Sequence, residues 1–270
     1  MMTRRAPRAF FGSLALLSAL LWVGPYAWMV LTSLKSLKDI VSRPDGILPE
    51  HPTLGAYREL FATLPVGRTL LLTVAMATLI AMLQIVLALP AGYALSKLEW
   101  RGRRVVFGLV LACLLVPAQV TFVPLYLVFA KLGLVNTMGA LVLPFAVSAL
   151  GTFLVRQALL SVPDEIVEAA RLDGASEFVI VYRILGPMVA PTLASLFLVS
   201  FVFHYSDYFW PLVMTTDDAV RTLPLGVALL REQGSGVRWH VLMAGNVVLS
   251  APVLLLFSVV QKQLVRGLAR

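Results

Sequence analysis

Long apolar stretches without a single charged residue dominate the chain. A helix needs about 20 apolar residues to cross a bilayer core, and a helix pairs its backbone polar groups within one segment. Six windows free of Asp, Glu, Lys and Arg exceed that length. The pattern predicts an all-α polytopic membrane protein, one transmembrane domain over residues 1–270. The six predicted spanning helices cover 9–34, 69–96, 105–130, 132–155, 184–211 and 239–262.

Composition agrees with a membrane protein, because 59% of the residues are hydrophobic and 13% are charged, whereas soluble domains carry about 25% charged residues. The single Cys113 excludes a disulfide framework and a cysteine metal site. A net charge of +8 would raise nucleic acid as a partner for a soluble protein. Here most basic residues flank apolar stretches, so membrane topology explains the charge and no nucleic-acid partner is expected.

The distribution of Lys and Arg predicts the orientation. Of the 22 basic residues, 13 lie before the first window, between the second and third, between the fourth and fifth, or after the sixth. Cytoplasmic segments carry an excess of Lys and Arg, so both termini and the loop at 161–187 are predicted to be cytoplasmic.

The first window also resembles a signal peptide, because Arg4, Arg5 and Arg8 precede an apolar run. Its length, the internal Pro25 and the lack of a small-residue cleavage site favour a retained helix.

The 161–187 loop is the longest polar interruption on the predicted cytoplasmic side and has the pattern helix, glycine turn, helix. Ser161 is a predicted N-cap, Pro163 suits the first turn, and Gly174 supplies the left-handed residue that ends the first helix. Between these signals, Glu168 stands beside Ala169 and Ala170, whose small side chains let another protein approach closely. The loop is therefore predicted to be a docking element.

The run E-A-A-R-L-D-G-A at 168–175, with I-L-x-P ending at Pro187, resembles the EAA loop of ABC-importer permeases. It is most similar to the carbohydrate-importer subfamily that includes the maltose and glycerol-phosphate systems. The runs V-P-L-Y-L-V-F-A-K-L-G-L-V-N-T and G-T-F-L-V-R-Q resemble the same subfamily. Two positions depart from its pattern: Gly186 stands where members usually have Leu before Pro, and Ser206-Asp207 replaces the more usual Asn-Glu or Asn-Asp.

This resemblance implies an importer subunit in the bacterial inner membrane that forms half of a translocation path. It implies three kinds of protein partner besides membrane lipid: a second permease subunit, a pair of ATP-binding subunits and an extracytoplasmic solute-binding protein. The residues implied to couple to the ATPase are Glu168, Ala169, Ala170, Asp173 and Gly174.

A second group of polar and aromatic residues follows the fifth window, in F-V-F-H-Y-S-D-Y-F-W-P-L. Asp207 stands four residues before Pro211, so its carbonyl is expected to lose its helical partner. A carboxylate at membrane depth needs water, a partner or a ligand, and aromatic faces with carboxylates suit polyols. The alternative is an interfacial aromatic belt with Asp207 facing water. The candidate path residues are Gln119, His204, Tyr205, Asp207, Trp210 and Asn246.

Prolines within the predicted spans are expected to kink or unwind them, because each removes a backbone hydrogen bond. They are Pro117, Pro124, Pro144, Pro211 and Pro252.

Several kinds of chemistry are missing from the sequence. There is no G-x-x-x-x-G-K-[ST] motif and no Gly-Lys pair, so ATP hydrolysis must come from another subunit. The scattered His51, His204 and His240 predict no metal site, and neither a cofactor nor an enzymatic activity of the chain itself is expected.

Two questions stay open at this level. A sugar or sugar alcohol suits an acidic, aromatic lining, whereas a glycerol phosphate or phosphodiester needs a cation that the spans do not offer. The competing functional class is a proton-coupled secondary transporter that uses Asp207 and His204 as a relay. A membrane scaffold would leave the E-A-A run unexplained.

Overall fold

The computed structural model describes residues 8–43, 46–231 and 238–268, and within them all regular structure is helical. A 3₁₀ turn over Leu143–Phe145 and a π-helical segment over Ile180–Leu185 interrupt the α-helices. The helices are α1 (Arg8–Ser33), α2 (Leu37–Ser42), α3 (Gly55–Thr63), α4 (Val66–Ser96), α5 (Arg103–Leu114), α6 (Ala118–Lys131), α7 (Met138–Val142), α8 (Ala149–Leu160), α9 (Asp164–Leu172), α10 (Glu177–Val179), α11 (Gly186–Met188), α12 (Ala190–Ser206), α13 (Phe209–Met214), α14 (Leu223–Leu229) and α15 (Trp239–Leu268).

Three described helices are long and apolar enough to cross a membrane alone: Gly12–Ser33 of α1, Val66–Ser96 and Trp239–Ser258 of α15. Two bent pairs bring the total to five if each pair is one span: Met138–Phe145 with Ala149–Leu160, and Glu177–Met188 with Ala190–Ser206. The predicted span 105–130 corresponds to α5 and α6, which are separate helices. The polytopic all-α class is confirmed, and the count of six spans stays a prediction.

Prolines mark some of the helix breaks. Pro117 is the N-cap of α6, and Pro144 lies in the 3₁₀ turn before α8. Pro124 and Pro252 lie inside helices that continue past them. The sharpest bend, 84°, follows Gly186 and Pro187, directly after the π-helical segment. The region of the predicted fifth span is therefore bent and interrupted.

The described residues form two compact units. The smaller one takes in the described parts of Met1–Val66 with Gly226–Pro252, and the larger one those of Gly67–Leu225 with Val253–Arg270. In the smaller unit Leu60 is fully buried, the hydroxyls of Ser33 and Tyr57 lie 2.8 Å apart, and Arg238 forms an ion pair with Glu59.

Two apolar clusters form the core of the larger unit. One joins the C-terminal end of α4 to α8, α9 and the π-helical segment, and includes Leu89, Val155 and Ile180. The other joins the middle of α4 to α6, α7 and α13, and includes Ile80 and Trp210. Helix α4 takes part in both clusters.

Two groups of polar contacts lie near opposite ends of α4 in the larger unit. In one, Lys97 pairs with Asp164, and the Arg156 guanidinium donates to Leu95 O at 3.0 Å. In the other, Arg68 donates to Ala219 O at 3.0 Å, and Asn136 N–H donates to Met214 O at 2.7 Å. Each group joins segments that the charge distribution assigns to one side of the membrane.

Candidate functional site

The docking helix predicted in the 161–187 loop corresponds to α9. It begins at Asp164 with Pro163 as N-cap, so the prediction that Ser161 caps it is wrong. Ser161 instead ends α8, where its hydroxyl donates to Ala158 O at 2.7 Å. Asp164 and Glu165 lie in the first turn of α9, where carboxylates interact favourably with the helix dipole.

The end of α9 is a Schellman turn around Gly174. Gly174 has φ +78°, its N–H donates to Arg171 O at 3.0 Å, and Ala175 N–H donates to Ala170 O at 2.9 Å. These two bonds satisfy helix carbonyls that would otherwise lack partners. Left-handed backbone is costly for side chains with a Cβ, which explains a glycine here.

The sequence-predicted coupling residues divide between two faces of the loop. Glu168, Ala169, Asp173 and Gly174 are exposed, whereas Ala170 is buried and packs in the cluster with Leu89. Only the first alanine of the pair is therefore available to an incoming partner, and the second packs α9 against its own protein.

Two large apolar side chains beside these residues were missed by sequence reasoning. Leu172 is 89% exposed and Phe178 is 67% exposed. Leu172 follows Glu168 by one helical turn, so a partner that contacts Glu168 meets Leu172 as well. An apolar residue at the exposed end of a strongly amphipathic short helix was the available signal.

Tyr93 of α4 and Lys97, the residue that directly follows α4, hold both ends of the docking helix. Lys97 Nζ lies 2.5 Å from Asp164 Oδ1. Tyr93 donates its hydroxyl hydrogen to Glu177 Oε2 at 2.5 Å and accepts from Arg171 Nη2 at 2.8 Å. Arg171 Nε donates to Glu177 Oε1 at 3.1 Å, and this hydrogen bond raises the pKa of the Arg171 guanidinium, which stays charged.

A cavity of about 310 Å³ contains the second candidate site. Among the described residues that line it, Asp207 alone is charged, and the other walls are mainly aromatic. The lining residues are Thr121, Phe122, Leu125, Phe145, Phe203, Asp207, Phe209 and Trp210. A carboxylate among aromatic faces can accept hydrogens from hydroxyl groups while the rings cover C–H surfaces.

Asp207 shapes the helix break next to this cavity. It separates α12 from α13, and its Oδ1 accepts from the N–H of Phe209 at 2.9 Å and of Trp210 at 3.5 Å. Pro211 lies in the first turn of α13, where a backbone N–H has no helical partner to lose. The break expected in the turn before Pro211 is present, because α12 ends at Ser206 and α13 begins at Phe209.

The structure brings only some of the candidate path residues together. Trp210 lines the cavity with Asp207 and donates its indole N–H to Ala140 O at 2.9 Å. His204 and Tyr205 are buried beside the cavity rather than among its lining residues: His204 Nε2 lies 3.5 Å from Gln84 Nε2, and Tyr205 stacks on Phe201.

Asn246 belongs to the smaller unit, where its amide donates to Leu242 O at 2.9 Å. The Gln119 side chain lies outside the described residues.

The family model described as "Binding-protein-dependent transport system inner membrane component" matches residues 84–270. The chain belongs to this family. The match includes both the docking loop and the cavity, and it makes the chain a transport component of the bacterial inner membrane.

Curated relatives of this permease carry names from ABC import systems. An "Arabinooligosaccharides transport system permease protein AraQ" of Halalkalibacterium halodurans is 34% identical over 70% of this chain and 67% of its own. An "sn-glycerol-3-phosphate transport system permease protein UgpE" of Pectobacterium atrosepticum is 30% identical over 86% of this chain and 85% of its own.

Among solved structures, the permease is similar to a chain of a bacterial ABC transporter involved in import of the acidic polysaccharide alginate. The TM-score is 0.81 at 25% identity, with 97% of this chain and 99% of the other covered. These matches confirm an ABC-importer permease, and they give no support to the proton-coupled alternative.

Proposed function

We propose that this permease is driven by ATP-binding subunits that dock on α9, in the manner of the EAA loop that its sequence resembles. The observation that carries the proposal is the exposed face of α9, where Glu168, Ala169 and Leu172 lie side by side while Ala170 is packed inward. Exposed apolar surface rimmed by polar residues marks interaction sites, and Leu172 and Phe178 provide such surface beside Glu168.

The proposed orientation places α9 and both termini in the cytoplasm. Two observations support it: the excess of basic residues in the segments around α9, and the contacts that join Lys97, Arg156 and Asp164 in one group. The Arg68 and Asn136 contacts then lie on the external side, where a solute-binding protein delivers its ligand. A second permease subunit completes the path.

The proposed solute is a carbohydrate or sugar alcohol that contacts the cavity around Asp207. The aromatic walls and the single carboxylate support this class, and a relative named for arabinooligosaccharides supports it further. A glycerol phosphate, for which another relative is named, would need a cation from the second permease subunit.

Replacing Leu172 with alanine is expected to weaken binding of the cognate ATP-binding subunits by about tenfold or more, because a buried interface anchor is worth about 2 kcal/mol. The measurement is co-purification and titration of the ATPase on the purified membrane complex. Leu160→Ala is the matched control, since Leu160 is 49% exposed on α8. Unchanged affinity in both Leu172→Ala and Glu168→Lys would refute docking through α9.

Replacing Asp207 with asparagine is expected to raise the KM for uptake about tenfold with little change in thermal stability. The asparagine oxygen can still accept the Phe209 N–H, whereas a hydrogen bond to a charged carboxylate contributes about 1.5–3 kcal/mol. Uptake into proteoliposomes is measured with an arabino-oligosaccharide, an alginate oligosaccharide and glycerol 3-phosphate.

Asp217→Asn is the control for this substitution, because Asp217 also accepts a backbone N–H, from Ala219 at 2.7 Å, and lies outside the cavity. An unaltered KM for every solute in Asp207→Asn would remove Asp207 from the path. Trp210→Ala is a poor probe, since it empties a buried site and costs about 3–5 kcal/mol of stability whatever the solute.

A further inference from the structure

Three polar ties connect the docking loop to the last turns of α4. The first is Lys97, whose side chain is 4% exposed although it carries a charge. Its ammonium lies 2.5 Å from both Asp164 Oδ1 and the carbonyl oxygen of Val162. A lysine this buried is retained only with its hydrogen bonds satisfied, so it fixes the N-terminal end of α9.

The second tie is Tyr93, which lies on α4 four residues before Lys97 and whose carbonyl accepts the Lys97 backbone N–H at 2.8 Å. Its hydroxyl bonds to both members of the Arg171–Glu177 ion pair. Arg171 is two turns beyond Asp164 on α9, so the two ends of the docking helix are held by residues one turn apart at the C-terminal end of α4.

The third tie supplies a hydrogen bond that is missing within α4. Pro90 lies inside this helix and has no N–H, so the carbonyl of Val86 loses its helical partner. The hydroxyl of Tyr182, in the π-helical segment within the docking loop, donates to Val86 O at 2.8 Å. A hydrogen bond from the docking element thus replaces one that α4 cannot make itself.

Apolar packing fills the space between the three ties. Val167 and Ala170 on the inward face of α9 belong to one buried cluster with Leu89 and Tyr93 of α4. In contrast, the route along the chain from α9 towards the cavity passes through the π-helical segment and the 84° bend before α12. The route through α4 has no bend of this kind, because α4 is one continuous helix from Val66 to Ser96.

The other part of α4 reaches the wall of the cavity. Met76 and Ile80 pack in one buried cluster with Trp210, and the amide of Gln84 donates to the carbonyl of Phe145 at 2.8 Å. Trp210 and Phe145 both line the cavity. One uninterrupted helix therefore contacts the docking loop near its C-terminus and the cavity wall near its middle.

We propose that α4 is the lever of this permease: Tyr93, Tyr182 and Lys97, which directly follows α4, are positioning residues. They join the docking loop, including α9, to the C-terminal end of α4 as one rigid body, which passes docking-helix movement to the cavity wall. This inference rests on the proposed function, because it assumes that an ATPase moves α9. The three side chains act through the docking loop and contact neither ATP nor solute.

The test measures the distance between spin labels at Glu165→Cys on α9 and Leu79→Cys on α4, in a Cys113→Ser background. The sample is the complete importer in lipid nanodiscs, with its binding protein. Distances are compared without nucleotide and with ATP plus vanadate, and ATP hydrolysis is recorded on the same complexes. The unaltered permease is expected to keep one label distance in both states, within the 1–2 Å or so of ordinary helix shifts.

Removing the ties by Tyr93→Phe, Lys97→Met and Tyr182→Phe together is expected to let that distance change by about 5 Å or more on ATP binding, the size of a one-turn slip. Tyr26→Phe on α1 is the control and should behave as the unaltered permease. If the triple variant does not assemble, the double variant Tyr93→Phe/Tyr182→Phe receives the same readout, because it removes only two hydroxyl groups.

The outcomes separate the inference from the proposed function. A complex that hydrolyses ATP while the label distance of the unaltered permease changes by about 5 Å overturns the rigid body alone. A constant label distance in the variant without the ties overturns the role of Tyr93, Lys97 and Tyr182 as positioning residues, and leaves the proposed function intact. A complex that assembles without any ATP hydrolysis overturns the proposed function, and the lever with it.

Discussion

Replacing Gly92 with leucine is expected to prevent stable assembly of the larger unit. A Cβ at Gly92 would lie 2.7 Å from Val155 Cγ1 and 3.0 Å from the backbone nitrogen of Arg156. The second contact is with backbone, so a rotamer change cannot relieve it. Small residues let membrane helices approach this closely, and overpacking such a contact costs about 1–3 kcal/mol even for a modest enlargement.

The same crossing also positions Arg156, whose guanidinium lies 3.8 Å from the centroid of the Phe107 ring and donates to Leu95 O. If the clash displaces α8 from α4, both contacts of Arg156 are lost as well. The expected result is a fall of at least about 5 °C in the melting temperature of the detergent-solubilised protein, or no folded protein for Gly92→Leu. Gly92→Ala should be intermediate.

Gly67→Leu is the matched control, because Gly67 is on the same helix and a Cβ there meets nothing within 4 Å. Equal melting temperatures for the Gly92 and Gly67 variants would mean that the α4–α8 crossing is not tightly packed in the membrane.

The apolar windows alone were enough to predict the continuous helices. Charge-free runs identify α1, α4 and α15, because the length of an apolar run directly reflects the membrane thickness. They do not reveal the 84° bend before α12 or the separation of α12 from α13 at Asp207. Hydrophobicity indicates whether a residue is buried or exposed to water. The residues before and after such a break are equally hydrophobic, so their hydrophobicity does not mark the break.

Prolines coincide with helix breaks at some positions and not at others. Pro117 marks one, as expected, whereas Pro90 lies within a continuous α4. At Pro90 the Tyr182 hydroxyl donates the hydrogen bond that the Val86 carbonyl would otherwise lack. A sequence shows which carbonyl a proline leaves without a hydrogen-bond donor. The donor that pairs with this carbonyl is about a hundred positions away, and no pattern in the neighbouring sequence identifies it.

The docking loop shows the same division between local and distant information. Gly174 and the exposed Glu168 follow from short-range helix signals. The inward placement of Ala170 and the ties from Tyr93 and Lys97 depend on how α9 lies across α4. No periodicity within either segment encodes that crossing.

Replacing Gly174 with valine is expected to reduce solute uptake about tenfold or more while leaving the fold of the membrane helices intact. At φ +78° the left-handed backbone costs an ordinary L-residue about 1–2 kcal/mol, and a β-branched residue more. A Cβ at Gly174 meets no atom within 4 Å, so the strain is in the backbone alone. It can be relieved by unwinding the Schellman turn, which releases the Ala170 and Arg171 carbonyls and moves Arg171 away from Tyr93 and Glu177.

Gly174→Asn separates this cause from a simple loss of space on the docking surface. Asparagine adds a side chain of similar bulk but tolerates left-handed backbone, so it should keep most of the uptake that valine loses. Uptake, ATP hydrolysis and melting temperature are measured on both variants in the complete complex. Equal losses for the two would mean that the partner surface, and not the turn, limits Gly174. A loss confined to valine means that coupling depends on the direction in which the turn sends the chain from α9 into α10.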